Sequence, residues 1–211
     1  ISSCSSKIYE SFDQPVLIKN IFEVNDSIVK KDPVKLLIQP SPINKFFGYP
    51  LGLAINNLVS DNPDKKFDDW LYKKENRRIR LEKLLSSKQL NQLKRYNRSF
   101  NNFLKGIGQE PVFLSDIDIN ENKKRLKQFY DNIGYFDSEV INEIMIDSNQ
   151  AKIKYKVNKN QRYLLDSIAL NIQSKDIDSL NKANIDLSFL KKGEFFSINK
   201  LLLERDRLIS L

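Results

Sequence analysis

The chain has 211 residues, 40% of them hydrophobic, with no histidine, one cysteine and a formal charge of +8. That apolar content is enough for one medium core or two small ones. The missing histidine and single cysteine exclude Ser-His-Asp and Cys-His catalysis and zinc centres built on those ligands. No apolar stretch reaches the ~18 residues that cross a bilayer as a helix. GxGxxG and P-loop patterns are absent, and no acidic pair marks a catalytic pocket. No enzymatic activity, cofactor or metal is therefore expected.

In chain order, Ile1-Ser2-Ser3-Cys4 comes first. A hydrophobic residue, two small residues and then cysteine resemble the end of a bacterial lipoprotein signal peptide. In that reading Cys4 is lipidated, the acyl chains anchor the protein, and residues 1–14 form a lipoprotein-like tail. The alternative is an ordinary cysteine beside serines, with no second thiol for an intramolecular disulfide. Val16 to Val24 reads as a strand, and Asp32-Pro33 as the N-cap and first residue of a helix. Phe46 to Ile55 (FFGYPLGLAI) either packs as a buried insert or forms an exposed docking patch.

The charge is localised. Lys73 to Arg98 contains ten basic and two acidic residues, and the rest of the chain is balanced. Arg77, Arg78, Arg80, Lys83, Lys94 and Arg95 form a candidate basic surface for anionic lipid headgroups or acidic clients. The plainer reading is a solvated helix face, with Leu81, Leu84, Leu85, Leu90 and Leu93 on the packing side. Nucleic acid is not expected as a partner, because only Tyr96 interleaves as an aromatic and no recognition motif accompanies it.

A helix from about Asn120 to Ile133 places Leu126, Phe129, Tyr130 and Ile133 on one face, with Gly134 at its end. A hairpin follows: Phe136 to Ile146, a turn at Asp147-Ser148-Asn149, and Ala151 to Val157. In the returning strand Ile153, Tyr155 and Val157 alternate with Lys152, Lys154 and Lys156, as expected for one buried and one wet face. A second strand-helix-helix series then starts: a strand near Tyr163 to Ile172, a helix around Lys175 to Lys182, and a helix capped by Ser197.

This second series repeats the first. Leu17-Ile18-Lys19-Asn20-Ile21 matches Leu164-Leu165-Asp166-Ser167-Ile168 at an offset of 147. Phe113-Leu114-Ser115 and Arg125-Leu126 match Phe195-Phe196-Ser197 and Arg207-Leu208 at an offset of 82. The difference implies an insertion of about 65 residues in the first copy. Residues 15–159 thus form one β-α-α-β-β module with an insertion at about 40–105, and residues 160–211 a second that stops inside its second helix.

Gly134-Tyr135-Phe136 with Val140, Lys192-Gly193-Glu194-Phe195-Phe196-Ser197, and Phe47-Gly48-Tyr49-Pro50-Leu51-Gly52-Leu53 followed by Trp70-Leu71 stand in a telling order. So do Phe100 to Lys105 and the following Gly108, Glu110, Pro111 and Val112. Together they resemble the POTRA domains of the BamA/TamA family of outer-membrane assembly proteins, especially its TamA-like members in Bacteroidetes. The resemblance implies an α+β fold of tandem POTRA modules, the first with a mostly helical insertion and the second incomplete. It implies a place at the periplasmic face of the outer membrane, held by a lipid anchor, by a barrel further along the chain, or by both. The implied activity is non-covalent help in inserting or translocating outer-membrane proteins, with unfolded clients or assembly-complex subunits as partners. The alternative is a free-standing lipidated periplasmic adaptor. The family's sheet order leaves the second strand, about Ser138 to Ile146, at an edge, where Val140, Asn142 and Ile144 would border an added client strand.

Overall fold

The computed structural model describes residues 7–29 and 33–210. Cys4 and the expected N-cap Asp32 lie outside the described residues. The fold is α+β, with a four-stranded mixed sheet. The strands are β1 (Val16–Val24), β2 (Ser27–Ile28), β3 (Glu139–Asp147) and β4 (Gln150–Asn158), ordered β2-β1-β4-β3. Asn25 and Asp26 take left-handed backbone at the tight turn between β1 and the short antiparallel β2. β1 and β4 are parallel. Val16 N–H donates to Asn149 C=O near the start of both, and Asn25 N–H to Val157 C=O near the end of both, each at 2.9 Å. Parallel neighbours need a long crossover connection, and the helices between Val24 and β3 supply it.

The chain divides into two compact units. One comprises Ile1–Lys19, Pro42–Asp116 and Ile146–Lys152; the other comprises Asn20–Ser41, Ile117–Met145 and Ile153–Leu211. In the first unit, Tyr9, Val16, Ile18, Ile43 and Leu53 form a buried cluster, with Ile8, Phe12 and Phe113 packed against it. Four helices follow: α1 (Leu51–Asn56), α2 (Pro63–Tyr72), α3 (Glu75–Leu84) and α4 (Ser87–Ile107). Their ends are specified locally. The Asn62 side chain accepts from Lys65 N–H ahead of α2, and Ser86 with Gln89 forms a capping box ahead of α4. α2 and α4 are tied by Lys94–Asp68 (2.5 Å), by Arg98–Asp64, and by Asn97 donating to Pro63 C=O. Asn101 clamps one residue of the preceding loop, accepting from Ser60 N–H (2.8 Å) and donating to Ser60 C=O (2.9 Å).

The leucines expected to pack these helices divide. Leu81, Leu85 and Leu90 are half-buried, but Leu93 is exposed and Leu84 is 74% exposed. No residue of α3 is buried. Helical periodicity creates an apolar face, but burial requires a second layer to cover it, and among the described residues none lies over Leu84.

In the second unit, Phe22, Val24, Val34, Ile38, Leu126, Tyr130, Ile153, Tyr155 and Val157 are buried. The alternation expected for the returning strand is present: Ala151, Ile153, Tyr155 and Val157 are buried, while Lys152, Lys154 and Lys156 are only partly covered. Helix α5 (Ile119–Asn132) buries Leu126 and Tyr130 as expected, and it also buries Asn122. Asn122 accepts from Gln39 N–H (2.9 Å) and donates to Gln39 C=O (2.7 Å) and to the Tyr155 hydroxyl (3.2 Å). The helix expected from Asp32-Pro33 is instead a 3-10 turn, Pro33–Leu37. Pro40 and Pro42 follow within five residues, and proline disfavours helical backbone before it and cannot donate within it.

The stretch expected as a strand from Tyr163 to Ile172 makes one isolated bridge, Leu164 to Phe195. A strand persists only where a neighbour takes its N–H and C=O groups, and residues 166–172 have no such neighbour among the described residues. Helices α6 (Lys175–Ala183) and α7 (Ile198–Ile209) follow. Ser197 stands at the N-cap of α7 as expected, but its side chain makes no capping bond.

Candidate functional site

The strand edge at β3 begins with a turn. Ser148 and Asn149 both have positive φ, 46° and 60°, the pairing that closes a two-residue hairpin. The turn is therefore two residues long, one shorter than the sequence suggests. Such a turn sets Asp147 opposite Gln150 as a hydrogen-bonded pair, and antiparallel geometry then alternates along the strand. Residues 139, 141, 143, 145 and 147 spend their backbone groups on β4. Val140, Asn142, Ile144 and Ile146 point theirs away from it, and among the described residues no strand lies beyond β3 in the sheet. The three residues singled out as bordering the edge thus carry the outward-facing backbone.

The side chains of β3 fall on two faces. Val140, Asn142 and Ile144 share the face of Val157, Tyr155 and Ile153. Ile144 is nevertheless exposed, and Ile146 is 55% exposed. Ile141 and Met145, on the other face, are exposed as well. Glu143 lies among lysines there: Lys156 hydrogen-bonds it, and Lys154 stands 3.9 Å from it and 2.9 Å from Glu23 of β1. The Lys156 hydrogen bond holds the Glu143 carboxyl below the usual carboxylate range. Monomeric proteins usually blunt a sheet edge with proline, a bulge, shortness or unpaired charge. β3 has nine residues, no proline or glycine, and a central glutamate already engaged by β4 lysines. Its edge is open.

A cleft of about 410 Å³ adjoins the start of this edge, lined by Lys123, Lys124 and Lys127 of α5 and by Ser138, Glu139, Val140 and Ile141. Sequence reasoning missed it. The paired Lys123-Lys124 was legible, but its position against the edge depends on how α5 lies on the sheet.

Half of the candidate basic surface is engaged with its own helices. Arg77 donates to Trp70 C=O (2.6 Å) and lies over the Trp70 ring, 4.5 Å from its centre. Arg78 pairs with Glu82 and Lys94 with Asp68. Arg80, Lys83 and Arg95 have no ion pair among the described residues. The segment expected to pack as a buried insert also divides: Leu53 is buried, but Phe46, Tyr49 and Leu51 are exposed and Phe47 is 91% exposed. A tight turn at Phe47-Gly48, both with positive φ, holds Phe46 opposite Tyr49 and turns the phenylalanines outward.

One local pairing occurs twice. Leu17 N–H donates to Val112 C=O (2.7 Å) and Leu114 N–H to Pro15 C=O (2.9 Å). Likewise Leu165 N–H donates to Glu194 C=O (2.8 Å) and Phe196 N–H to Tyr163 C=O (3.0 Å). Leu17 and Leu165 are 148 residues apart, so the hydrogen bonds shift the sequence match by one residue. Leu164 and Leu165 are equivalent to a hydropathy comparison, and only the backbone register separates them. The spacing of 82 is unchanged, as Val112 and Glu194 show.

Gly134 joins α5 to the second of these pairings. Its φ of +92° is left-handed, and a Cβ there would sit 3.0 Å from Phe196 O. Its carbonyl accepts from Tyr163 N–H (2.8 Å), and Phe136 packs on Phe196 and Tyr163. Gly134-Tyr135-Phe136 is thus a structural joint that seats the segment after the hairpin.

Among the described residues no helix is long and apolar enough to cross a membrane, and no group of His, Cys, Asp or Glu could hold a metal ion. Comparisons with protein-family models, curated proteins and solved structures found no match.

Proposed function

We propose that this chain is the periplasmic POTRA region of a BamA/TamA-like outer-membrane assembly protein, built on tandem POTRA modules. It acts as a non-enzymatic, cofactor-free scaffold that helps outer-membrane proteins insert or translocate, by letting an extended client segment add to the sheet at β3. Lipidation at Cys4 belongs to this reading as an anchor. The clients are unfolded outer-membrane proteins or subunits of an assembly complex.

Two observations support the modular part. β1 and β4 are parallel neighbours separated by helices, with β3 outside β4, which is the strand order the family resemblance implies. The two-bond pairing at residues 15–17 and 112–114 recurs at 163–165 and 194–196, where a repeated module requires it. The observation that carries the functional part is the open β3 edge, with the backbone of Val140, Asn142 and Ile144 directed outward. Recognition through backbone groups suits a scaffold handling many unrelated strands, because it asks little of side-chain identity.

Asn142→Pro tests this directly. The Asn142 N–H points outward, so proline removes a donor from the free edge without removing one from the β3–β4 ladder. Binding of a fluorescent extended peptide with alternating apolar and polar residues should weaken about tenfold, while the far-ultraviolet circular dichroism spectrum stays unchanged. Undiminished binding would sink the strand-addition reading.

A further inference from the structure

We infer that the β3 edge selects extended polypeptide segments bearing carboxylates, which the cleft of Lys123, Lys124 and Ser138 receives. The inference rests on the strand-addition reading and gives it a substrate class.

Three observations converge on the cleft. Lys123 and Lys124 line it without an ion pair among the described residues. Lys127, at its other margin, is held by Asp131 and by Phe136 C=O at 2.6 Å, so it adds positive potential with little freedom to move. Ser138 is 2% exposed, and its hydroxyl has no hydrogen-bond partner, although its backbone N–H is bonded to Tyr135 C=O. A buried hydroxyl without a partner has lost its water and gained nothing in exchange, and such a group at a cleft wall calls for an acceptor or donor from outside. Against two unpaired ammonium groups, a carboxylate satisfies both needs: it accepts from Ser138 Oγ–H and from a lysine.

The position of the cleft argues for a polypeptide rather than a free anion. Val140 lines the cleft and is also the first outward-facing residue of the edge. A segment adding along Val140, Asn142 and Ile144 must pass this cleft, so an acidic side chain near one of its ends falls within reach of the lysines. The exposed Ile144 and Ile146 further along offer apolar contact. The segment that fits therefore combines apolar residues with aspartate or glutamate toward the Val140 end.

The test uses the whole chain and two fluorescent extended peptides of the same apolar alternation, one carrying aspartates near one end and the other asparagines there. Fluorescence anisotropy should show the aspartate peptide binding about tenfold tighter at low salt, with the preference fading as salt screens it. Lys123→Gln/Lys124→Gln should remove the preference and leave asparagine-peptide binding unchanged. Ser138→Ala should reduce the preference without altering the salt dependence, and it serves as an independent variant if the lysine pair alters folding. Equal affinity for the two peptides in the wild type overturns the carboxylate inference while strand addition stands. Binding of neither peptide overturns both. If anionic phosphatidylglycerol vesicles bind through the same lysines while the peptides show no preference, the cleft is a lipid site and the inference fails.

Discussion

Asn122 in α5 and Glu204 in α7 stand 82 residues apart, the spacing that relates the paired carbonyls of Val112 and Glu194. Both are buried polar residues on a helix, and both accept a hydrogen bond from the backbone of a loop: Gln39 N–H for Asn122 and Phe189 N–H for Glu204. Their chemistry differs. The Asn122 amide also donates to Gln39 C=O and to Tyr155, so a neutral group is fully satisfied without charge. Glu204 brings a carboxylate into a site where only 3% of its side chain is exposed, and Arg207 neutralises it at 2.6 Å while reaching Asn181 at 2.7 Å. The same mechanical task, pinning a loop to a helix, is done once by an amide and once by an ion pair. The amide arrangement is independent of pH and recurs in Asn101 with Ser60. The ion pair stakes more on a single residue.

The largest expected effect follows from that stake. Glu204→Ala leaves the part-buried Arg207 without its carboxylate partner and Phe189 N–H without an acceptor, and should cost about 4 kcal/mol in urea unfolding. Asn122→Ala strips the partner from both polar groups of Gln39, and should cost about 3 kcal/mol by the same measurement. If Asn122→Ala proves the more damaging, the ion pair is the lesser anchor of the two.

The two anchors also differ in pH dependence, a smaller effect. Arg207, by hydrogen bonding and then by charge, together with the bond from Phe189 N–H, holds the Glu204 carboxyl below its ordinary value of 4.5 despite its burial. A group depressed on folding contributes its full stability above the unfolded value and loses it as pH falls through the folded one. The stability gap between wild type and Glu204→Gln should therefore be constant near neutrality and shrink on acidification below about pH 4.5. The gap between wild type and Asn122→Ala should carry no comparable acid dependence. Parallel unfolding titrations at pH 7 and in steps below pH 5 separate the two outcomes.

Features written in adjacent residues were legible without coordinates. The period-two pattern of Ala151 to Val157 marks a strand because side chains alternate across a sheet, and Leu126 and Tyr130 mark the buried face of α5 because four residues make slightly more than one helical turn. Val140, Asn142 and Ile144 came from a family's strand order, and the two-residue turn at Ser148-Asn149 sets their backbone outward. Features needing a distant partner were not legible. The expected strand after Tyr163 shrank to one bridge for want of a neighbour, and Leu84 stayed exposed for want of a covering helix.

Asn122 and Glu204 belong to the same division. Read along the chain, each is one more polar residue on an amphipathic helix. Their burial depends on loops that end 83 and 15 residues away from them, at Gln39 and Phe189. The periods of Ala151 to Val157 and of α5 follow from the residues alone, because they depend on backbone stereochemistry and nearby hydropathy. Only the fold sets which polar groups are buried, that the pairing of Leu17 with Val112 recurs at Leu165 and Glu194, and that a cleft with an unpaired hydroxyl meets the β3 edge. Each of those depends on where a hydrogen-bonding group finds its partner, and such partners are brought together only by folding.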